Sequence, residues 1–458
     1  GGDIHIENLG SSLALLDSEI NTQVNNGHFL GGEIIIQSGL FSLDNTTISA
    51  QTDTGFGAFI GIGVDSMTAS NNSLINAISQ GVGGDIIIIG TGPGSSLSLE
   101  SGTTISADAN VTIPTGGRAG DIFLTGFDTV ALDFATLSSS VTGTGIVSEG
   151  NPGNIGIDAL TSILVSNSVI ETETDITFAA GGSNLLEGGV VRLTTPDLNI
   201  SNSSISTVTQ GEDNAGLILM EGTGVPGSTL NITGSAVFSD TFSNVDVATI
   251  TDEGNAAAGD IRVLDFDVVT LLNSSLTSSS FGVPQNPGEE VGAAGSIDIA
   301  NIGDVFLTDS SIASTAIQSS GGSITIDTWG NQIDLINSSL NTEVSSGDGT
   351  GGSIALNSHN ISLDDSLVSV VTATGTGGTI DIDVGSSFTA TNVSVIKGSS
   401  LGDGGDITIT GGGMGSSFFL GPDPEVPLSE GSQINADLNA EIPDAGSAGN
   451  ITIANFGT

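Results

Sequence analysis

The chain has 458 residues, with 68 glycines, 11 prolines, no cysteine and a hydrophobic share of 37%, which is too apolar for a disordered polymer and offers no disulfide framework. Four basic residues, Arg118, Arg192, Arg262 and Lys397, face 52 acidic ones for a net charge of −48, and this excludes a nucleic-acid phosphate track and an anionic membrane surface as partners. No apolar run reaches the ~18 residues of a membrane span, and the opening GGDIHI carries no signal peptide, so the numbered chain reads as a mature product or an excised segment.

From that opening onward, a Gly followed by one residue and then an apolar alternation recurs fifteen times. The clearest copies are GGDIHI from Gly1, GGEIII from Gly31, GGDIII from Gly83, GGSITI from Gly321 and GGDITI from Gly404, with weaker ones at Gly57, Gly189 and Gly216. Successive copies are separated by 25 (Gly32 to Gly57) to 44 (Gly405 to Gly449) residues. A near-fixed period with insertions is the mark of a stacked repeat, and a stack grows in one dimension without a natural size limit. Each copy holds three short alternating segments, as in ITID, IDLINSSL and NTEVSS between Gly321 and Gly352. Alternation with period two places one face in and one face out. The expected fold is all-β: one continuous right-handed parallel β-helix over 1–458, of about fifteen coils with three short strands each. At the ~4.8 Å strand spacing it forms a rod about 70 Å long. Ile324, Ile326, Ile333, Leu335 and Leu340 are expected to point into the core.

The second segment fits apolar-x-apolar-x-Asn-x-x-apolar, and its fifth position is Asn45, Asn71, Asn167, Asn202, Asn273, Asn337 or Asn392. Asp17, Asp309 and Asp365 replace Asn in three coils, while Phe134 and Gly234 break the rule. Asn and Asp tolerate the left-handed backbone of a sharp bend, and stacked Asn side chains can form a hydrogen-bonded ladder. Neutral Asn prevails because carboxylates one rung apart repel. This column reads as a structural bend ladder, and the Asn45-Thr46-Thr47 sequons as its by-product.

Together the GGDITI-like opening and the LxLxNSSI-like second strand resemble the repeat region of filamentous-haemagglutinin-like exoproteins secreted by the two-partner route, in particular the cyanobacterial forms. The resemblance covers essentially the whole chain. It implies a right-handed parallel β-helix, export to the cell surface, and a role in adhesion, sheath or biofilm.

Longer steps place insertions near 107–119, 143–152, 239–258, 281–294 and 411–427. The last of these, with Phe418 and Phe419, is the least strand-like stretch. Loops on a rigid scaffold are where recognition usually sits, so an adhesin reading a surface glycan or cell-surface receptor is one alternative. An enzyme is not expected: the four cations lie in separate coils, His5, His28 and His359 are scattered, and no nucleophile or metalloprotease pattern occurs. No cofactor is expected. Calcium is the one small ligand the composition suggests, with Asp3, Glu33, Asp85 and Asp121 (and Asp260 and Asp406) following the repeat glycines as weak candidates, which leaves a calcium-organised acidic surface layer as another alternative. Alternating threonines in QTDTG, STVTQ and SVVTATG raise an ice-binding array as a third. Both ends, GGDIHIENLG and GNITIANFGT, present the same open motif without a polar cap, so axial head-to-tail continuation is expected. The expected function is a non-catalytic, secreted structural protein of an extracellular fibre, sheath or surface filament.

Overall fold

A computed structural model of the chain describes residues 2–24, 31–53, 55–111, 117–144, 150–177, 188–210, 214–242, 257–281, 292–329, 331–347, 349–421, 431–437 and 447–457. Among these residues there are strands and no helix, and the strands pair in parallel to form a β-solenoid of about 12 turns. In their described residues, 1–221 and 222–458 form two compact units.

Within residues 1–221 the long strands Ile34–Asp44, Ile60–Ser70, Ile86–Glu100, Ile122–Asp133 and Ile155–Ser166 occupy successive coils. Each pairs with the next so that Ile34, Ile60, Ile86, Ile122 and Ile155 fall in one row. A second sheet contains Thr47–Thr52, Leu74–Asn76, Thr104–Ser106, Thr136–Ser138 and Val169–Thr177. Residues 222–458 repeat the plan, with Ser323–Thr328, Ser353–Asp364, Thr379–Thr391 and Asp406–Gly413 in one sheet and Ser339–Val344, Leu367–Thr372 and Val395–Ser400 in the other.

The coil thus has three segments, and the first two share a sheet. In Ser353–Asp364 they run on as one strand whose pairing shifts between Ser358 and Asn360. The shift bends the strand without ending it, because an extra unpaired residue turns the chain while the flanking ladders continue. About 12 turns is fewer than the fifteen glycine-marked openings. An opening marks where a coil begins and not that it closes: the one at Ala448 contributes the strand Ile451–Phe456 alone.

The core is a stack of like side chains. Ile324, Ile326, Ile333, Leu335 and Leu340 are all 0% exposed, each worth roughly 1.5–3 kcal/mol of apolar burial. Among the described residues, Phe127, Phe266 and Phe388 are the largest side chains that are less than 2% exposed. Of the expected insertions, residues 112–116, 145–149, 243–256, 282–291 and 422–427 lie outside the described residues. Residues 411–421 differ from the sequence reading: Ser417–Leu420 is a strand paired with Ser387–Ala390. Phe418 supplies the reason, since its ring stacks on Phe388 at 5.3 Å and meets Phe456 at 5.4 Å.

Candidate functional site

A solenoid repeats each position in the next coil, so a recurring side-chain type becomes a column. The bend column is the most regular. Asn45, Asn71, Asn167, Asn202, Asn273, Asn337 and Asn392 have φ of 46°, 55°, 50°, 48°, 50°, 47° and 50°. Asp17, Asp309 and Asp365 share that conformation at 47°, 49° and 48°, and so do the sequence exceptions Phe134 at 54° and Gly234 at 56°. The bend is therefore fixed by the coil, and the residue type follows where it can.

The bonds from these amides join unlike groups, either the bend carboxylate of the preceding coil (Asp17, Asp309) or the one just before its bend (Asp44, Asp133, Asp364). Asn45 Nδ2 donates to Asp17 Oδ1 at 2.7 Å, Asn71 to Asp44 at 2.6 Å, Asn167 to Asp133 at 3.2 Å, Asn337 to Asp309 at 2.5 Å and Asn392 to Asp364 at 2.5 Å. An amide donor above a carboxylate acceptor spreads the charge that two adjacent carboxylates would concentrate.

Immediately after the bend runs a second column that sequence reasoning missed. Ser338 donates its hydroxyl to the Ile336 carbonyl at 2.8 Å and accepts the Ser310 N–H at 3.2 Å. Ser366 and Ser394 continue the pattern, accepting the N–H of Ser338 at 3.1 Å and of Ser366 at 3.2 Å. In residues 1–221, Ser73 accepts from Thr46, Ser168 from Ala135 and Ser203 from Ser168. These hydroxyls are buried and satisfy bend amides that would otherwise be orphaned. The Asn-Ser and Asn-Thr pairs of the sequence were the available signal.

At the opposite corner the repeat glycines close the coil. A Cβ on Gly352 would strike the Gly322 carbonyl and stand 2.8 Å from Thr342 Cβ. Close approach of backbone to backbone, rather than a left-handed φ, excludes a side chain there. An open groove of about 620 Å³ follows this corner past Gly295, Gly322, Gly352 and Gly378, with Asp260 at its margin.

The acidic residues after the glycines hold the next coil. Asp3 Oδ1 accepts the Glu33 N–H at 3.0 Å and Asp85 Oδ1 that of Asp121 at 2.9 Å. Asp121 Oδ1 accepts from Asn154 N at 2.8 Å and Asn154 Nδ2 at 3.1 Å, and Arg118 pairs with it at 3.3 Å. Asp260 and Asp406 do the same for Ser296 at 2.9 Å and Asn450 at 2.8 Å. The calcium candidates Asp3 with Glu33, and Asp85 with Asp121, thus meet as pairs bridged by an amide. Among the described residues no group of three or more His, Asp or Glu is placed to hold a metal ion.

Elsewhere, Arg192 pairs with Glu221 at 2.8 Å and Arg262 with Asp260 at 3.2 Å. Of the alternating threonines, Thr52, Thr207, Thr209 and Thr372 are at most 4% exposed, whereas Thr374 is exposed. Burial pushes the Asp108 carboxyl up, opposed by hydrogen bonds from Ser106, Ser138 and the Ser140 N–H. Burial also pushes Asp240 up to about 6, although it accepts the Ser279 N–H at 2.8 Å. No family model, curated protein or solved structure matches the chain.

Proposed function

We propose that the chain is a non-catalytic structural protein, secreted and used in an extracellular fibre, sheath or surface filament of the filamentous-haemagglutinin-like kind. The observation that carries this reading is the stacking itself. The recurrent polar side chains, in the bend, hydroxyl and post-glycine columns, are engaged in joining one coil to the next. Three of the four basic residues are held in ion pairs as well. A scaffold that spends its polar groups on its own continuity suits a load-bearing element.

The same reading includes axial continuation. Ile407 and Ile409 are covered and 1% and 0% exposed, whereas Ile451 and Ile453, their partners in the last described coil, are each 45% exposed. A further coil, from the same polypeptide or another copy, would bury that apolar face.

Electron microscopy of the purified chain over a concentration series, beside the native cell-surface material, tests both parts. Filaments that lengthen with concentration are expected. Single particles at every concentration, with no labelling of surface structures in situ, would overturn the fibre assignment, and turnover of a surface polysaccharide by the purified chain would overturn the non-catalytic one.

A further inference from the structure

The outer face of residues 1–221 carries an apolar row that coil stacking does not require. Ile35, Gly61, Ile87, Phe123 and Gly156 follow one another in parallel register at one outward position, with His5 at one end of the row and Arg192, paired with Glu221, at the other. The next outward position adds Ile89, 48% exposed and in register with Gly63 and Thr125.

Both glycines of the row are covered by neighbouring rings. A Cβ on Gly61 would lie 2.8 Å from Phe59 Cε1 and 2.8 Å from Ile35 Cδ1, and one on Gly156 would lie 2.8 Å from Phe123 Cδ1. Phe123 is nevertheless 36% exposed. A smooth apolar ridge results, crossing five coils, or about 20 Å at the strand spacing.

Carboxylates border the ridge. The position before the strand holds Glu33, Asp85 and Asp121, and beyond the ridge stand Asp65, Asp128 and Asp158. Asp65 and Asp85 are exposed and the other four half-buried, Asp121 being already paired with Arg118.

We propose that this ridge docks a basic polypeptide segment with one apolar face, its apolar residues covering Ile35, Ile87, Ile89 and Phe123 and its Lys or Arg side chains meeting the bordering carboxylates. Charge selects the occupant. A second copy of this chain has four basic residues against 52 acidic ones and cannot supply the cations. An anionic surface is repelled. A neutral polysaccharide would use the rings and gain nothing from the acidic borders. A basic amphipathic segment uses both: the ridge supplies burial, and the borders supply steering and register.

The test titrates the full chain with an alternating Leu–Lys peptide, against oligolysine of equal charge and a neutral cello-oligosaccharide. The Leu–Lys peptide should bind about tenfold or more tighter than oligolysine. The double substitution Ile87→Thr and Phe123→Thr should abolish that difference while leaving oligolysine binding unchanged. Equal binding of the two peptides by the native chain would overturn the proposal, as would a preference that survives the double substitution. Oligosaccharide binding that is lost on substitution, without any peptide preference, would assign the ridge to glycans instead. A benzophenone-bearing Leu–Lys peptide cross-linked to the unsubstituted chain gives an answer free of folding effects. Adducts on the strands containing Ile35, Ile87 and Phe123 are expected, and adducts confined to other faces would overturn the proposal.

Discussion

At one position just outside the core, residues 35–156 present Ile35, Gly61, Ile87, Phe123 and Gly156, flanked in register by His5 before them and by Arg192 and Leu219 after, whereas residues 222–458 present Arg262, Asp298, Thr325, Ala355, Asp381 and Thr408 in a register of their own. One residue further along each strand the two units agree: Ile36, Ile62, Ile88 and Leu124 in one, Val263, Ile299, Ile326 and Leu356 in the other, none more than 2% exposed. The inner position has a neighbour of its own kind above and below, so a change of volume is felt in three coils at once. The outer position has solvent on one side and is free to diverge. Stacking therefore constrains composition along the axis and leaves the outer faces to carry identity.

Removing an inner side chain from each unit should have the largest effect. Ile88→Ala and Ile326→Ala should each cost about 2–5 kcal/mol through lost burial and the cavity left behind. Denaturant midpoints should fall alike in both variants. A clear inequality would mean that the two interiors are not equivalently packed.

Asp240 tests the inner rule with the wrong kind of residue. It is 8% exposed, and its carboxyl is raised from the usual 3.8 to about 6 by burial. Below about pH 3.8 the group is protonated in both folded and unfolded chains, and its burial carries no charge penalty. As pH rises toward 6 the unfolded chain loses the proton first, so stability falls across that window and levels off above it. At about 1.4 kcal/mol per pKa unit, the loss at neutral pH is at most about 3 kcal/mol. Asp240→Asn keeps an acceptor for the Ser279 N–H and removes the charge. Its stability should match the native chain near pH 4 and exceed it increasingly toward pH 7. A constant difference across that range would exclude titration of Asp240 as the cause.

The bend column falls between inner and outer. Asn337 combines a left-handed φ of 47° with a side-chain bond to Asp309, and Asn337→Ala should cost about 1–2 kcal/mol. Phe134 holds φ of 54° with a side chain 60% exposed. Phe134→Asn should stabilise by about 1 kcal/mol, because it relieves a conformation disfavoured for a bulky residue and gives up little packing. Thermal melts of both variants check the pair; a loss at Phe134 would show that its ring does more than occupy the bend.

These contrasts also account for what was legible in the sequence. The parallel stack could be read because Ile324, Ile326, Ile333, Leu335 and Leu340 alternate within a recurring glycine frame, and the bend because Asn or Asp returns once per coil. The hydroxyl column escaped notice because Ser after Asn is common in exposed turns, and only the fold shows Ser338 closing an amide of the neighbouring coil. The joining of the first two segments into one sheet was hidden by the intervening polar residues, such as Ser358 and Asn360. The outer ridge was least legible of all. It depends on which residues of unequal-length coils fall in register, and on Phe59 and Phe123 lying over glycines that look like gaps in the pattern.

The smallest effect belongs to the outer position itself, and it bounds the comparison from the other side. Thr325 stands between Asp298 and Ala355 in neighbouring coils and is half-buried. Thr325→Ile keeps a β-branched side chain, leaves Ile324 and Ile326 facing inward, and adds apolar surface of which part stays in water. Strand propensity is nearly unchanged, so stability should stay within about 0.5 kcal/mol of the native chain. A denaturant midpoint shifted by more than about 1.5 kcal/mol would place this site under the same packing constraint as its inner neighbours. The polar row of residues 222–458 would then be a requirement of the stack, and the apolar ridge of residues 1–221 would need a structural explanation before a binding one. With the shift small, both rows are compatible with the same coil, and the contrast between them remains one of surface chemistry.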